Sequence, residues 1–230
     1  KSMIAKLLRL IWIILKHIPV IKGITFYILR NSRYLFWRFR GGKPVQLGPG
    51  NIVFLEEVKN QIGDENNFRL IEFGCAAGPS LIDLSRTYLD SQFLGFDIRK
   101  GAVREGQKYI ESHKIKNVSL VNSNLVDLED DISCDFLISR ATLIYLSPKD
   151  LKRLLHKVKY KVRKKIIFQE IHSRTNTPIK HYYFAHSFKD IFIELGYEEL
   201  FSIAIEDMYF DNWESKDWRG VSIVLERKEA

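Results

Sequence analysis

Arg69-Leu-Ile-Glu-Phe-Gly-Cys-Ala-Ala-Gly-Pro79 is a short apolar run that breaks abruptly into small residues. The run up to Glu72-Phe73 predicts a β-strand. Gly74, Cys75, Ala76, Ala77 and Gly78 then turn the chain, and Pro79 suits the first turn of a helix. Small side chains at 74, 76 and 78 let a ligand come close to the backbone. In open α/β sheets ligands bind beyond the carboxyl ends of the strands, where such a loop lies. The bland alternative is a tight strand-to-helix turn that holds nothing.

Outward from this loop the pattern repeats. Strands are expected at 92–96, 118–122, 135–139, 166–171, 199–205 and 221–226. Helices are expected at 51–61, 80–89, 102–113, 148–162 and 187–195. Short apolar strands alternating with helices predict an α/β fold, a doubly wound, mostly parallel sheet covered on both faces. The Gly/Pro-rich stretch 41–50 separates this body from what precedes it, so we divide the chain into an arm, 1–43, and a domain, 44–230.

The second strand ends in Phe96-Asp97, 25 residues after Glu72. An acid there can accept hydrogen bonds from both hydroxyls of a ribose, or it can cap the helix that follows. The third ends in Asn122-Ser-Asn124-Leu125. Asn124 offers donors and an acceptor to an adenine edge, and it is equally a common turn residue. A nicotinamide-binding loop fits poorly, because Gly74 and Gly78 are four apart and Pro79 follows. A Walker phosphate loop is excluded by the absence of Gly-Lys-Ser/Thr.

Glu72-Phe-Gly74-Cys75-Ala76-Ala-Gly78, with Asp97 and Asn124 downstream, resembles the class I S-adenosylmethionine-dependent methyltransferase family over residues 51–227. The resemblance implies a Rossmann-like, seven-stranded sheet whose last strand runs antiparallel between its neighbours. It implies S-adenosyl-L-methionine as cofactor. It places Glu72, Gly74, Cys75, Ala76, Gly78, Asp97, Ile98, Asn124, Leu125 and Ser139 around that cofactor, with Asp97 on the ribose and Asn124 on the adenine side. Ala76 stands where the family pattern has a glycine.

Methyl transfer needs the acceptor aligned with the donor, and a hydroxyl acceptor needs a base. Arg140 follows the fourth strand, while Glu170 and His172 end the fifth on one face. His172 titrates near neutrality and could serve as the base. Arg140 could hold a phosphate or carboxylate of the substrate, or pair with an acid. Ser139-Arg140-Ala141-Thr142 stands where amino-methylating relatives carry Asn/Asp-Pro-Pro-Tyr, which favours an oxygen acceptor. The aromatic stretches 181–186 and 208–213 could roof the acceptor or pack in the core. No metal ligand set is apparent.

The net charge of +8 is unevenly distributed. Residues 1–55 hold ten of the 36 basic side chains and no acid, leaving 26 bases against 28 acids in the rest. The basic character belongs to the arm. Ile4, Leu7, Leu8, Ile11, Ile14, Leu15 and Ile18 share one helical face, with Lys6, Arg9 and Lys16 opposite. The longest uncharged run, Leu10–Leu15, is far short of the ~20 residues a spanning helix wants. A signal peptide would lack its small-residue cleavage site. Such a helix could lie on a membrane, pack on its own domain or a second copy, or bind nucleic acid. Phe26, Tyr27, Tyr34, Phe36, Trp37 and Phe39 interleave with Arg30, Arg33, Arg38 and Arg40, which suits the same alternatives. Two cysteines, Cys75 and Cys134, build no disulfide framework.

The functional expectation is methyl transfer to an oxygen of a small-molecule, sugar or lipid-linked acceptor. The place expected is the cytoplasm, peripheral on the inner face of a membrane. The balanced body argues against a large nucleic-acid footprint. The alternatives are an RNA or protein methyltransferase that grips its substrate with the arm, and a non-catalytic binding module of the same fold.

Overall fold

The computed structural model of the chain describes residues 47, 49–128, 132–174, 177–180, 183–208 and 217–229. The arm, residues 181–182 and the loop residues 209–213 lie outside them. In chain order the elements are α1 (Pro49–Ile62), β1 (Arg69–Phe73), α2 (Pro79–Thr87), β2 (Gln92–Asp97), α3 (Lys100–Ser112), β3 (Val118–Asn122), β4 (Cys134–Arg140), α4 (Pro148–Val158), β5 (Val162–His172), β6 (Thr177–Lys180), β7 (Tyr183–Ala185), α5 (Phe188–Glu194), β8 (Phe201–Met208) and β9 (Arg219–Arg227).

Seven strands form one sheet in the order β3-β2-β1-β4-β5-β9-β8. β9 is antiparallel to both β5 and β8, and the other six strands run parallel. This is the doubly wound α/β architecture expected from the alternating elements. Alternation along each strand feeds two cores. Leu70, Phe136, Ile138 and Ile167 face α1, α2 and α3, where Phe54, Val58, Leu81, Leu84 and Val103 are buried. Ile71, Phe73, Leu137, Ile166 and Phe168 face α4 and α5, where Leu151, Leu155, Phe188 and Phe192 are buried. Burial on both faces is why these strands read as continuous apolar runs.

The structure departs from the sequence reading in three places. α4 stops at Val158, four residues short of the expected end, because Lys161 N–H turns back onto the Val158 carbonyl and Val162 already pairs with Cys134. β5 extends through Arg163-Lys-Lys165, which looks too charged for a strand. Arg163 pairs with Asp135 at 2.9 Å, Lys165 with Glu226 at 3.2 Å, and Lys164 with Glu65. The aromatic stretch before α5 contributes a hairpin, β6–β7, that no alternation announced.

Candidate active site

β1, β2, β4 and β5 end together at one rim of the sheet. After β1 the loop takes three left-handed residues, Gly74 at φ 77°, Ala76 at φ 54° and Gly78 at φ 74°. A side chain on Gly74 would run into Thr142 of the loop after β4, so the two loops meet there in direct contact. That second loop holds another left-handed residue, Ala141 at φ 49°. An alanine in this region costs about 1 kcal/mol. Strain of this kind gathers where the surrounding structure enforces a binding geometry.

The Gly74 and Cys75 amides both donate to the Phe96 carbonyl, at 2.8 and 3.1 Å, which ties the loop to the end of β2. The Ala76 amide donates to Asp97 Oδ2 at 2.7 Å. Asp97 Oδ1 accepts from the Arg99 amide at 2.7 Å and from Arg99 Nε at 3.2 Å, and Arg99 Nη2 reaches Oδ2 at 3.4 Å. The Asp97 carboxylate is therefore aimed at the loop and is covered by the Arg99 guanidinium. From behind, Gly106 of α3 lets that helix press against the Ala77 carbonyl, where any Cβ would collide. Arg99 and Gly106 were not singled out in the sequence. The signals available were a base two residues after the acid and a glycine in a helix interior.

Glu72 lies buried beneath the loop, and its Oε2 has no partner among the described residues. Burial, then the neighbouring Asp97, pushes its carboxyl up to about 8, with the Ser80 hydroxyl working the other way. Cys75 turns its thiol into the core against Gly95, so only its backbone serves the rim. Burial holds that thiol well above its ordinary value and pushes Cys134 up to about 12. Neither cysteine should react with a thiol reagent in the folded protein, while both react in denaturant. Fast native-state labelling of Cys75 would contradict this packing.

After β3, Asn124 caps a short 3-10 turn, Leu125–Asp127. Its Oδ1 accepts from the Val126 amide at 3.3 Å and its Nδ2 donates to Asp127 at 2.9 Å. The turn role is thus real, and it uses both the oxygen and the nitrogen of the side-chain amide. Leu125 is buried in the core under α4, and Ile98 is half-buried beside Asp97.

The expected catalytic residues are not equally placed. Glu170 is fully buried. Its Oε1 accepts from Ser139 Oγ at 3.0 Å and from the Thr142 and Leu143 amides at 3.0 and 3.1 Å. A carboxyl without exposed surface touches no acceptor, so Glu170 is a positioning residue for the loop after β4, and Ser139 spends its hydroxyl on it. The Leu143 carbonyl is held in turn by buried His186 Nε2 at 3.0 Å. Arg140 is tied to the other face of the sheet. Its Nε bonds Gln169 at 3.2 Å and its Nη1 bonds Asn51 at 3.0 Å, and Gln169 continues to Glu57, which Ser222 also meets. In this arrangement it anchors α1 rather than a substrate anion. His172 is half-buried, with an unpartnered Nδ1 among the described residues. Burial and then Arg219 lower its pKa, so the ring is neutral near pH 7. Among the described residues no cluster of three or more His, Cys, Asp or Glu side chains could hold a metal ion.

Residues 70–165 match the family model described as a methyltransferase domain. These residues form a class I S-adenosylmethionine-dependent methyltransferase domain. The matched residues run from β1 into β5 and include the loop, Asp97, Asn124 and Ser139. This methyltransferase resembles an uncharacterised protein of Rickettsia prowazekii (strain Madrid E), 30% identical over 88 residues, 38% of this chain and 35% of that one. It resembles a tRNA (guanine-N(7)-)-methyltransferase of Buchnera aphidicola subsp. Acyrthosiphon pisum (strain Tuc7), 24% identical over 129 residues, 53% of this chain and 54% of the relative. Thus the chain spans about a third to a half of these relatives. Among solved structures it resembles geranyl diphosphate C-methyltransferase from Streptomyces coelicolor A3(2), crystallised with S-adenosyl-L-homocysteine. The TM-score is 0.65 and the identity 14%, covering 86% of this chain and 98% of that one. Such a likeness speaks for the fold.

Proposed function

We propose that this methyltransferase moves a methyl group from S-adenosyl-L-methionine to an oxygen of a small-molecule, sugar or lipid-linked acceptor. The observation that carries the reading is the left-handed loop 74–78 with Asp97 aimed into it and the unpartnered Glu72 Oε2 below. These groups fit a cationic nucleoside. Asp97 would receive the ribose hydroxyls, the loop amides and glycines would line its path, and Glu72 would face the positive end. When bound, the cofactor supplies an electrophilic methyl group. Glu170 and His186 fix the loop that faces it, and that rigidity serves alignment.

His172 takes the base role. A ring that is neutral near pH 7 can accept a hydroxyl proton. His172→Gln is expected to lower kcat by about 100-fold or more with little change in cofactor affinity. The parent's kcat should rise on an acid limb below the ordinary histidine value of 6.5, because burial depresses the group, and that limb should vanish in the variant. Equal rates and profiles would remove His172 from the chemistry.

The basic arm, as a unit separate from residues 44–230, is proposed to bring the enzyme to the cytoplasmic face of an anionic membrane. A second reading, methylation of RNA gripped by the arm, is favoured by the tRNA-modifying relatives. Deleting residues 1–40 separates the two. Loss of sedimentation with anionic liposomes supports the first, and loss of salt-dependent RNA binding supports the second.

A further inference from the structure

Arg99 meets Asp97 in a way that copies a ligand. The carboxylate has four donors around it. Two are backbone amides, Ala76 on Oδ2 and Arg99 on Oδ1, and they belong to the loop's architecture. The other two come from one guanidinium, Nε on Oδ1 at 3.2 Å and Nη2 on Oδ2 at 3.4 Å. Thus each oxygen gives one backbone amide a permanent place and lends its other place to the Arg99 side chain. A ribose presents its two hydroxyls as a pair on adjacent carbons, one for each oxygen of a single carboxylate. The side-chain donors match that pair in number and in target atoms.

The two bonds are also long beside the amide bonds at 2.7 Å, so they are the ones to give way. Arg99 keeps 23% of its side chain exposed while Asp97 keeps 6%, so the guanidinium has the freer route to water. Left bare, a buried carboxylate would lack half its hydrogen bonds, a costly state.

We propose that Arg99 is a built-in stand-in for the cofactor's ribose diol, holding Asp97 ready in the free protein and swinging out when the nucleoside arrives. This rests on the reading of Asp97 as the ribose seat. Arg99 is then a positioning residue that sets affinity by competition. Removing it tightens nucleoside binding, the opposite of what loss of an ordinary contact does.

The test is calorimetry with adenosine, 2′-deoxyadenosine and S-adenosylhomocysteine against the parent and Arg99→Ala and Arg99→Lys. Adenosine is uncharged, so salt acts on its binding only through groups it displaces. The expected results are a several-fold tighter fit of adenosine to Arg99→Ala, with Arg99→Lys between, since an ammonium is not a two-pronged donor. For the parent, affinity should rise between about 0.05 and about 0.5 M salt as the ion pair is screened, and for Arg99→Ala it should stay flat. Unchanged or weaker adenosine binding by a folded Arg99→Ala protein overturns the proposal. The underlying reading fails separately: if the parent binds adenosine and 2′-deoxyadenosine alike, Asp97 does not receive the diol, whatever Arg99 does. Thermal unfolding of each variant shows that the comparison is between folded proteins.

Discussion

Asp97→Ala is expected to weaken S-adenosylhomocysteine binding by about 100-fold or more, while cooperative unfolding persists. Two hydroxyl-to-carboxylate hydrogen bonds contribute roughly 1.5–3 kcal/mol each. Displacing Arg99 offsets part of that, and a net loss of about 3 kcal/mol corresponds to the stated factor. The fold survives because the Asp97 carboxylate gives the body two backbone bonds, as acceptor for the Ala76 and Arg99 amides, worth about 1 kcal/mol each. Asp97→Asn is the finer probe. It keeps the shape and an acceptor but loses the charge, so it should fall between parent and alanine. Calorimetry decides, and affinities within two- or three-fold of the parent for both variants would take Asp97 out of the site.

The second large effect concerns Glu170 and is one of stability. Glu170→Ala deprives Ser139 Oγ and the Thr142 and Leu143 amides of their common acceptor inside the protein. Buried donors left unpaired cost about 1–3 kcal/mol each, so a loss of roughly 3–5 kcal/mol is expected at pH 5. Glu170→Gln behaves differently, because its carbonyl oxygen still accepts all three. Burial pushes the Glu170 carboxyl from its ordinary 4.5 up to about 7. The folded protein then binds this proton more tightly than the unfolded chain does. The stabilisation is complete below about 4.5 and is lost as pH climbs through 7, a swing of roughly 3 kcal/mol. Denaturant titrations should show Glu170→Gln overtaking the parent at pH 8 and falling level or below at pH 5. A difference that stays constant with pH would mean the carboxyl is ionised when folded.

Two other buried groups shape the same curve. Glu72, pushed up to about 8, destabilises the free protein over 4.5 to 8 with the same sign. His186 has the opposite sense. Burial brings it from 6.5 down to about 4, so its contribution is complete above 6.5 and disappears as acid is added. The free protein should therefore be most stable in weak acid.

The residues that were legible in the sequence act through their backbone or sit at a strand end. The loop 74–78, the strand 118–122 and the acid at 97 needed only periodicity and small-residue spacing, because local chain geometry dictates them. Alternation placed Glu170 and His172 on one face, and the parallel pairing of β4 and β5 puts Ser139 on that face too. What alternation could not reveal is depth. Glu170 sinks out of solvent because the loop after β4 folds over it, and Arg140 is captured by Asn51 and Gln169, 89 and 29 residues away. The hairpin β6–β7 escaped because strands of four and three residues are too short to show a period. Arg99 was passed over because a lone base after an acid normally marks a wet helix start.

The contact between α1 and Arg140 has a mechanical corollary. Gly50 lies so close to the Arg140 guanidinium that a side chain there would displace it, and Asn51 bonds it. Residue 50 is thus moored at the end of β4, and α1 leads away from that anchor. A tug on that lead would reach Arg140 directly, then Gln169, whose neighbour Glu170 braces the loop after β4. A load on the start of α1 is thus delivered to the end of β4, next to the loop that Glu170 braces.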